Sequence, residues 1–391
     1  MKRLMIAALA ALLQAASLHA QGLKDVIGKD MLIGVALNKW QSSGGVPEAT
    51  AIVRKHFNSV VAENCMKSEN LQPREGKFYF GAADSLVAFA RDNNQTLTGH
   101  CLVWHSQVPR WFFKDKAGRT VTRDVLVGRM RRHIKKVVGH FKGKVRGWDV
   151  VNEAIEDDGS FRKSPFYSII GEDFIEIAFR AAHEADPGAE LYYNDYSLSN
   201  PAKRDAVCRL VRRLKSKGVR IDAVGMQSHN GLDYPDLSAY EASIDSFAAC
   251  GVKVMVTELD LNVLPSPKGF SGARIEQDFE YHKRLNPYPE ALPDSIYRKF
   301  EQRYLELFSI YRRHRHQMSR ITLWGISDRD SWLNDFPVHG RTNYPLFFDR
   351  NYAEKPVVSK IIELWEGRDR WLGAPAAVFA HKGLLPVGGH P

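Results

Sequence analysis

Eight short apolar runs, separated by longer stretches of helical period, constrain this chain more than any other feature. The runs are LIGVALN (32–38), NSVVAENCM (58–66), TLTGHCLVWH (96–105), VRGWDVVNE (145–153), ELYYNDY (190–196), AVGMQSH (223–229), VKVMVTELD (252–260) and ITLWGISD (321–328). Near-continuous hydrophobicity in runs this short fits parallel strands covered on both faces. Between them, Val207, Leu210, Val211 and Leu214 recur at helical spacing before Gly218. Leu86, Val87, Phe89 and Ala90 do the same before the turn Asp92-Asn93-Asn94. YEASIDSFAACG ends in Gly251, and Asp186-Pro187-Gly188 breaks a further helix, both ordinary stop signals. Repeated strand–helix units predict an α/β fold, a single closed (β/α)8 TIM barrel. No Ser- or Pro-rich linker divides it, so one barrel is expected over 21–372, with 373–391 a loosely ordered tail.

The segment before the first run reads MKRLMIAALAALLQAASLHAQG. Lys2 and Arg3, an apolar centre and Ala20 form a signal-peptide pattern over 1–20, too short for a good membrane anchor. The mature protein is expected to be exported, to a periplasm or the medium, with no membrane association afterwards and as a monomer. Cys65, Cys101, Cys208 and Cys250 permit two disulfides by number. Cys65 and Cys101 fall on predicted strands, Cys208 and Cys250 on predicted helices, which argues for free buried thiols. The net charge of +10 gathers in RMRRHIKK (129–136) and YRRHRH (311–316). Such patches suit nucleic acid, but outer helices facing water show them too, and no nucleic-acid motif accompanies them.

The strands carry polar residues at their C-terminal ends, the face where barrels of this kind place their active sites. Glu63, Asn64 and Lys67 follow the second run. His100, Trp104 and His105 lie along the third. Asn152 and Glu153 end the fourth, Asn194 and Asp195 the fifth, Gln227 and His229 the sixth, Glu258 and Asp260 the seventh. Trp324 and Asp328 belong to the eighth. Side chains from the fourth and seventh strands can face each other across a barrel mouth. Two carboxyl groups flanking one bond are what glycoside hydrolysis requires, one giving a proton and the other attacking the anomeric carbon. Glu153 and Glu258 meet that demand. His229 is placed to hold a nucleophilic carboxylate ionised, with Asp260 orienting its ring, and Asn152 to donate to a sugar 2-hydroxyl. A metal site among His100, His105, His229 and Asp260 lacks the His-x-His pattern on the first strand, so no metal or cofactor is expected.

With these motifs assembled, the sequence resembles family 10 glycoside hydrolases, endo-β-1,4-xylanases, from about residue 26 to about residue 365. FNSVVAENCMKSENLQP, GHCLVWHSQVPRWF, WDVVNEAI, YYNDY, GMQSH, TELD, LWGISDRDSWL and PLFFDRNYAEKP carry the resemblance. It implies Glu153 as acid/base, Glu258 as nucleophile, and xylan or xylo-oligosaccharides as substrate, cleaved with retention. It further implies that Glu63, Asn64 and Lys67 bind sugar on the non-reducing side. His100, Trp104, Asn152, Gln227 and His229 then line the cleavage subsite, capped by Trp324 and Trp332.

The insertion over 264–296 follows the nucleophile strand and is expected to overhang the leaving-group side, where Phe279, Tyr281 and Tyr288 either form a binding platform or pack on one another within the loop. Arg341 is expected to meet acidic decorations of the polymer. The alternatives are a barrel glycosidase that also cuts β-1,4-glucan, and a carbohydrate-binding barrel without turnover.

Overall fold

The computed structural model describes residues 21–268 and 278–368. The expected signal peptide and the expected tail lie outside the described residues. Nine strands are present among them: β1 Leu32–Leu37, β2 Ser59–Ala62, β3 Thr96–Trp104, β4 Gly147–Asn152, β5 Glu190–Asp195, β6 Ala223–Met226, β7 His229–Gly231, β8 Lys253–Asn262 and β9 Met318–Leu323. β1 to β6 pair in chain order, β6 pairs with β8, β8 with β9 and β9 with β1, all parallel. Eight strands therefore close a TIM barrel, with helices between them.

The sixth run divides where a continuous strand is predicted. β6 ends at Met226, Ser228 takes a φ of 66°, and the three-residue β7 pairs with the outer end of β8, His229 beside Asp260. The second run is also shorter than predicted, so Cys65 sits in a turn after β2, and Cys250 lies just beyond the helix Leu237–Ala248. All four thiols are free, three of them buried.

The helices follow their apolar spacing. Helix Phe174–Ala185 buries Phe174, Ile175, Ala178, Phe179, Ala181 and Ala182 on one stripe. Burying one large apolar side chain contributes about 1.5–3 kcal/mol, which outweighs helix propensities of tenths per residue. Helix Pro201–Ser216 starts with proline at its first turn and with Asn200 accepting from the Ala202 N–H, and Gly218 at φ 66° follows its end. The basic helices spend their charge on neighbours. Arg129 and Arg132 meet Glu75, Arg131 meets Glu184, Arg313 and His314 meet Glu241.

Along β5 the side chains alternate. Tyr192 packs in the barrel interior with Ala223 and Met255, and Asn194 points to the same interior. Tyr193 and Asp195 face outward, where Asp195 Oδ1 meets Lys203 Nζ at 2.9 Å, both fully buried. Asp195 also accepts from the Tyr193 hydroxyl, which in turn accepts from the Ala154 N–H at 3.1 Å. This outer chain therefore fixes the backbone next to Glu153. Lys203→Met strands the Asp195 charge, and removing one member of a buried pair costs about 3–5 kcal/mol. The expected result is a clear fall in the urea midpoint, with partial recovery in Lys203→Met/Asp195→Asn; an unchanged midpoint would count against the pair as a structural anchor.

Candidate active site

The C-terminal ends of the strands open on a cleft of about 470 Å³. Glu153, Glu258, Asn152, His229, Gln227, Glu63, Asn64, Lys67, His100, Trp104, Trp324 and Trp332 all line it, while Asp260 stands behind His229. The cleft continues in both directions. A cavity of about 290 Å³ shares Gln227, His229 and Trp332 with it, and a groove of about 680 Å³ shares Glu63 and Asn64.

Glu153 follows β4 directly and sits in the left-handed region at φ 58°, uncommon for a residue with a side chain. Such strain costs on the order of 1–3 kcal/mol and persists only where the surroundings enforce it. Here its N–H donates to the Asn194 carbonyl at 2.9 Å, and its own carbonyl accepts from Arg162 Nε at 2.8 Å. The carboxyl is buried. Oε1 accepts from Gln227 Nε2 at 2.9 Å and Asn152 Nδ2 at 3.2 Å, and Oε2 from Trp104 Nε1 at 2.9 Å. Burial pushes its pKa up and the Glu258 charge adds to that, against the opposing pull of the Gln227 and Trp104 donors.

Glu258 lies inside β8, also buried, and its environment differs. Oε2 pairs with His229 Nε2 at 3.1 Å, and Oε1 accepts from Asn194 Nδ2 at 2.8 Å. Burial alone would raise this carboxyl. The His229 hydrogen bond and the charges of His100, His229 and Lys67 overcome it, and the pKa falls below the ordinary value. His229 Nδ1 meets Asp260 Oδ2 at 3.0 Å. Burial opposes its charge, but Asp260 and Glu258 together push its pKa up to about 10. Two carboxyls thus have environments that drive their proton affinities apart, a pattern that assigns one acid and one base.

Asn152 links the pair. Its Oδ1 accepts from Asn194 at 2.9 Å and Gln227 at 3.3 Å. Asn194 has no exposed surface, and its Oδ1 takes the Thr257 hydroxyl at 2.6 Å. Gly225 makes this arrangement possible, because a Cβ there would lie 2.4 Å from Asn194 Oδ1.

One wall is formed from β2 and β3. Lys67 Nζ donates to Asn64 Oδ1 at 2.9 Å and Gln107 Oε1 at 2.8 Å, and lies 4.9 Å from the Trp104 ring centroid. Burial raises the Glu63 carboxyl and lowers the Lys67 ammonium. His100 Nδ1 meets Asp149 at 2.9 Å, and its ring stands edge-on to Trp324 at 5.3 Å. Trp324 is buried just past β9, so it serves the core and the cleft floor together. Trp332 Nε1 donates to Asp260 Oδ2 at 2.8 Å and stacks on Phe336 at 4.8 Å.

Several expectations are corrected. Arg341 is only 3% exposed, and its guanidinium donates to the carbonyls of Pro265, Leu333 and Phe336. It ties the loop after β9 to Pro265 and is buried away from any decoration. Part of the 264–296 insertion lies outside the described residues. Among the described residues, those that line the central cleft and its two extensions do not include Phe279, Tyr281 or Tyr288. Tyr288 packs on the core and its carbonyl accepts from Tyr344; among the described insertion residues Asp278 lines the central cleft and Ser266 its extension. Gln107, Asp149 and Arg162 were not expected at the site, and Asn194, expected only as a polar end of the fifth strand, had no role assigned there. For Asn194 the sequence offered only its place at the polar end of the fifth run; its register opposite Asn152 is seen in the structure. Among the described residues, no group of three or more His, Cys, Asp or Glu is arranged to hold a metal.

Residues 22–364 match the family model for glycosyl hydrolase family 10. An endo-1,4-beta-xylanase A of Xylanibacter ruminicola is 56% identical over 88% of this chain and 93% of its own. An endo-1,4-beta-xylanase of Geobacillus stearothermophilus is 39% identical over 88% and 98%. Among solved structures, a GH10 endoxylanase retrieved from sugarcane soil metagenome superimposes with a TM-score of 0.84 at 42% identity, over 88% of this chain and 99% of that one.

Proposed function

From the fact that this chain belongs to glycosyl hydrolase family 10, we propose a double displacement with retention, Glu258 attacking and Glu153 giving and taking the proton. The chain is an endo-1,4-β-xylanase, a hydrolase acting on xylan. A cleft open beyond both sides of the carboxyl pair suits cutting within a polymer.

The observation that carries the role assignment is the asymmetry of the two carboxyls. Glu258 is held ionised by His229, Asn194 and nearby positive charge. Glu153 is pushed toward its protonated form by burial and by the Glu258 charge. In the first step a Glu258 oxygen bonds the anomeric carbon while the glycosidic bond breaks, and Glu153 protonates the departing oxygen. Glu258 is then a neutral ester, its charge no longer repels, and the Glu153 pKa drops. Glu153 can now take a proton from water as water attacks the same carbon.

The neighbouring residues have positioning roles in this reading. His229 and Asp260 orient and stabilise the Glu258 carboxylate. Asn152 spends one amide hydrogen on Glu153, leaving the other for a sugar 2-hydroxyl. Glu63, Asn64 and Lys67 grip sugars on the non-reducing side, and Trp324 and Trp332 cover the apolar sugar faces. Export and a monomeric state remain part of the proposal, the first motivated by the pattern of residues 1–20.

Proton NMR of fresh products from xylohexaose, with cellohexaose beside it, tests the reading. β-Anomer appearing before mutarotation supports retention, which needs the carboxyls about 5–5.5 Å apart. Early α-anomer would overturn the nucleophile assignment. Comparable cleavage of cellohexaose would widen the substrate to β-1,4-glucan.

A further inference from the structure

Trp40 and Tyr79 are the two most exposed large hydrophobic side chains among the described residues, at 66% and 57%. Single exposed apolar side chains are ordinary and need no explanation. These two line one groove, and that groove begins where the catalytic cleft ends, with Glu63 and Asn64 on both.

Both are mounted on ordered backbone. Trp40 belongs to the short helix Lys39–Ser42 that follows β1 directly. Asn38 caps that helix by accepting from the Trp40 and Gln41 N–H groups, and Gln41 reaches back to the Asn38 N–H and across to Asp330. Lys39 Nζ lies 5.3 Å from the Trp40 ring centroid, which orients the indole. Tyr79 donates its N–H to the Leu71 carbonyl just before helix Gly81–Asp92. The groove between them also carries polar groups from Lys39 and Asn70. A pyranose ring offers C–H groups on its faces and hydroxyls on its edge, so exposed rings beside lysine and asparagine suit it.

We propose that Trp40 and Tyr79 form a distal subsite for the xylan chain, binding β-1,4-linked pyranose units beyond those at Glu63 and Asn64. The inference rests on the reading that Glu63, Asn64 and Lys67 face the non-reducing side. A contact this far from the scissile bond is made equally before and in the transition state. It therefore lowers KM and leaves kcat alone.

The experiment compares the full-length protein with Trp40→Ala, Tyr79→Ala and the double variant on two substrates. An aryl β-xylobioside fills only two positions on the non-reducing side; xylohexaose labelled with 18O at its reducing end can reach further. The expected result is a fall of about tenfold in kcat/KM on xylohexaose for the double variant, carried by KM, with the xylobioside within about twofold. The labelled cuts should move toward the non-reducing end, and Trp40→Phe should recover most of the loss. Equal losses on both substrates would show a structural role and overturn the subsite. So would unchanged xylohexaose kinetics, or cuts moving toward the reducing end. Failure of the unmodified protein on the xylobioside itself would remove the underlying catalytic reading, a result separate from any of these.

Discussion

Glu258→Ala is expected to lower kcat on xylan by on the order of 10⁴-fold or more, the scale on which removal of a covalent nucleophile acts. The reason lies in how its charge is held. Burial would neutralise this carboxyl, yet His229 at 3.1 Å, Asn194 at 2.8 Å and the positive charge of His100 and Lys67 keep it ionised. Alanine removes the attacking oxygen and leaves His229 paired with Asp260 alone. The His229 pKa, pushed up to about 10 between two carboxylates against the cost of burial, should then fall, which an NMR titration of the imidazole reads directly. Azide added to the variant can enter the vacated space and attack an aryl xylobioside from the Glu258 side. The new C–N bond forms as the aryl oxygen leaves, so the product is the α-azide. Activity within tenfold of the unmodified protein would place the nucleophile elsewhere, as would a β-azide product.

The barrel and the reacting pair were legible because each is repeated along the chain. Eight apolar runs with polar ends repeat one instruction, and Glu153 and Glu258 follow or end such runs on the fourth and seventh barrel strands. What was not legible depends on burial or on single residues. Arg341 reads as a charge beside the cleft, but only packing shows that three carbonyls already take its hydrogens. β7 is three residues long, too short for any period, so the break after Met226 left no trace in the hydrophobic pattern. Asn194 stands one residue before the end of its strand, much as Asn152 ends β4. Its part emerges only when Gly225 is seen to clear space for it. Trp40 and Tyr79 belong to no periodic run, and their exposure is a tertiary fact. The same holds for Lys203, which reads as one more surface lysine on a helix and is in fact fully buried against Asp195.

Glu153→Ala is expected to give a different deficit, and the difference separates the two glutamates. On xylan, whose leaving oxygen needs a proton, kcat should fall about 10²–10⁴-fold, the usual contribution of general acid catalysis. On a dinitrophenyl xylobioside, whose leaving group departs without one, bond cleavage should persist and water attack should become limiting. A burst of dinitrophenolate followed by slow turnover is the signature. Azide then attacks the ester on Glu258 from the opposite side and yields the β-azide, where Glu258→Ala yields the α. The pH profile carries a second test. Activity requires Glu258 ionised and Glu153 protonated. The acidic limb therefore follows Glu258, held below its ordinary value, and activity is lost as pH falls through it. The alkaline limb follows Glu153, raised by burial and by the Glu258 charge, and activity is lost as pH rises through it. Removing Glu153 should erase the alkaline limb and leave the acidic one in place. Loss of the acidic limb instead would exchange the two roles.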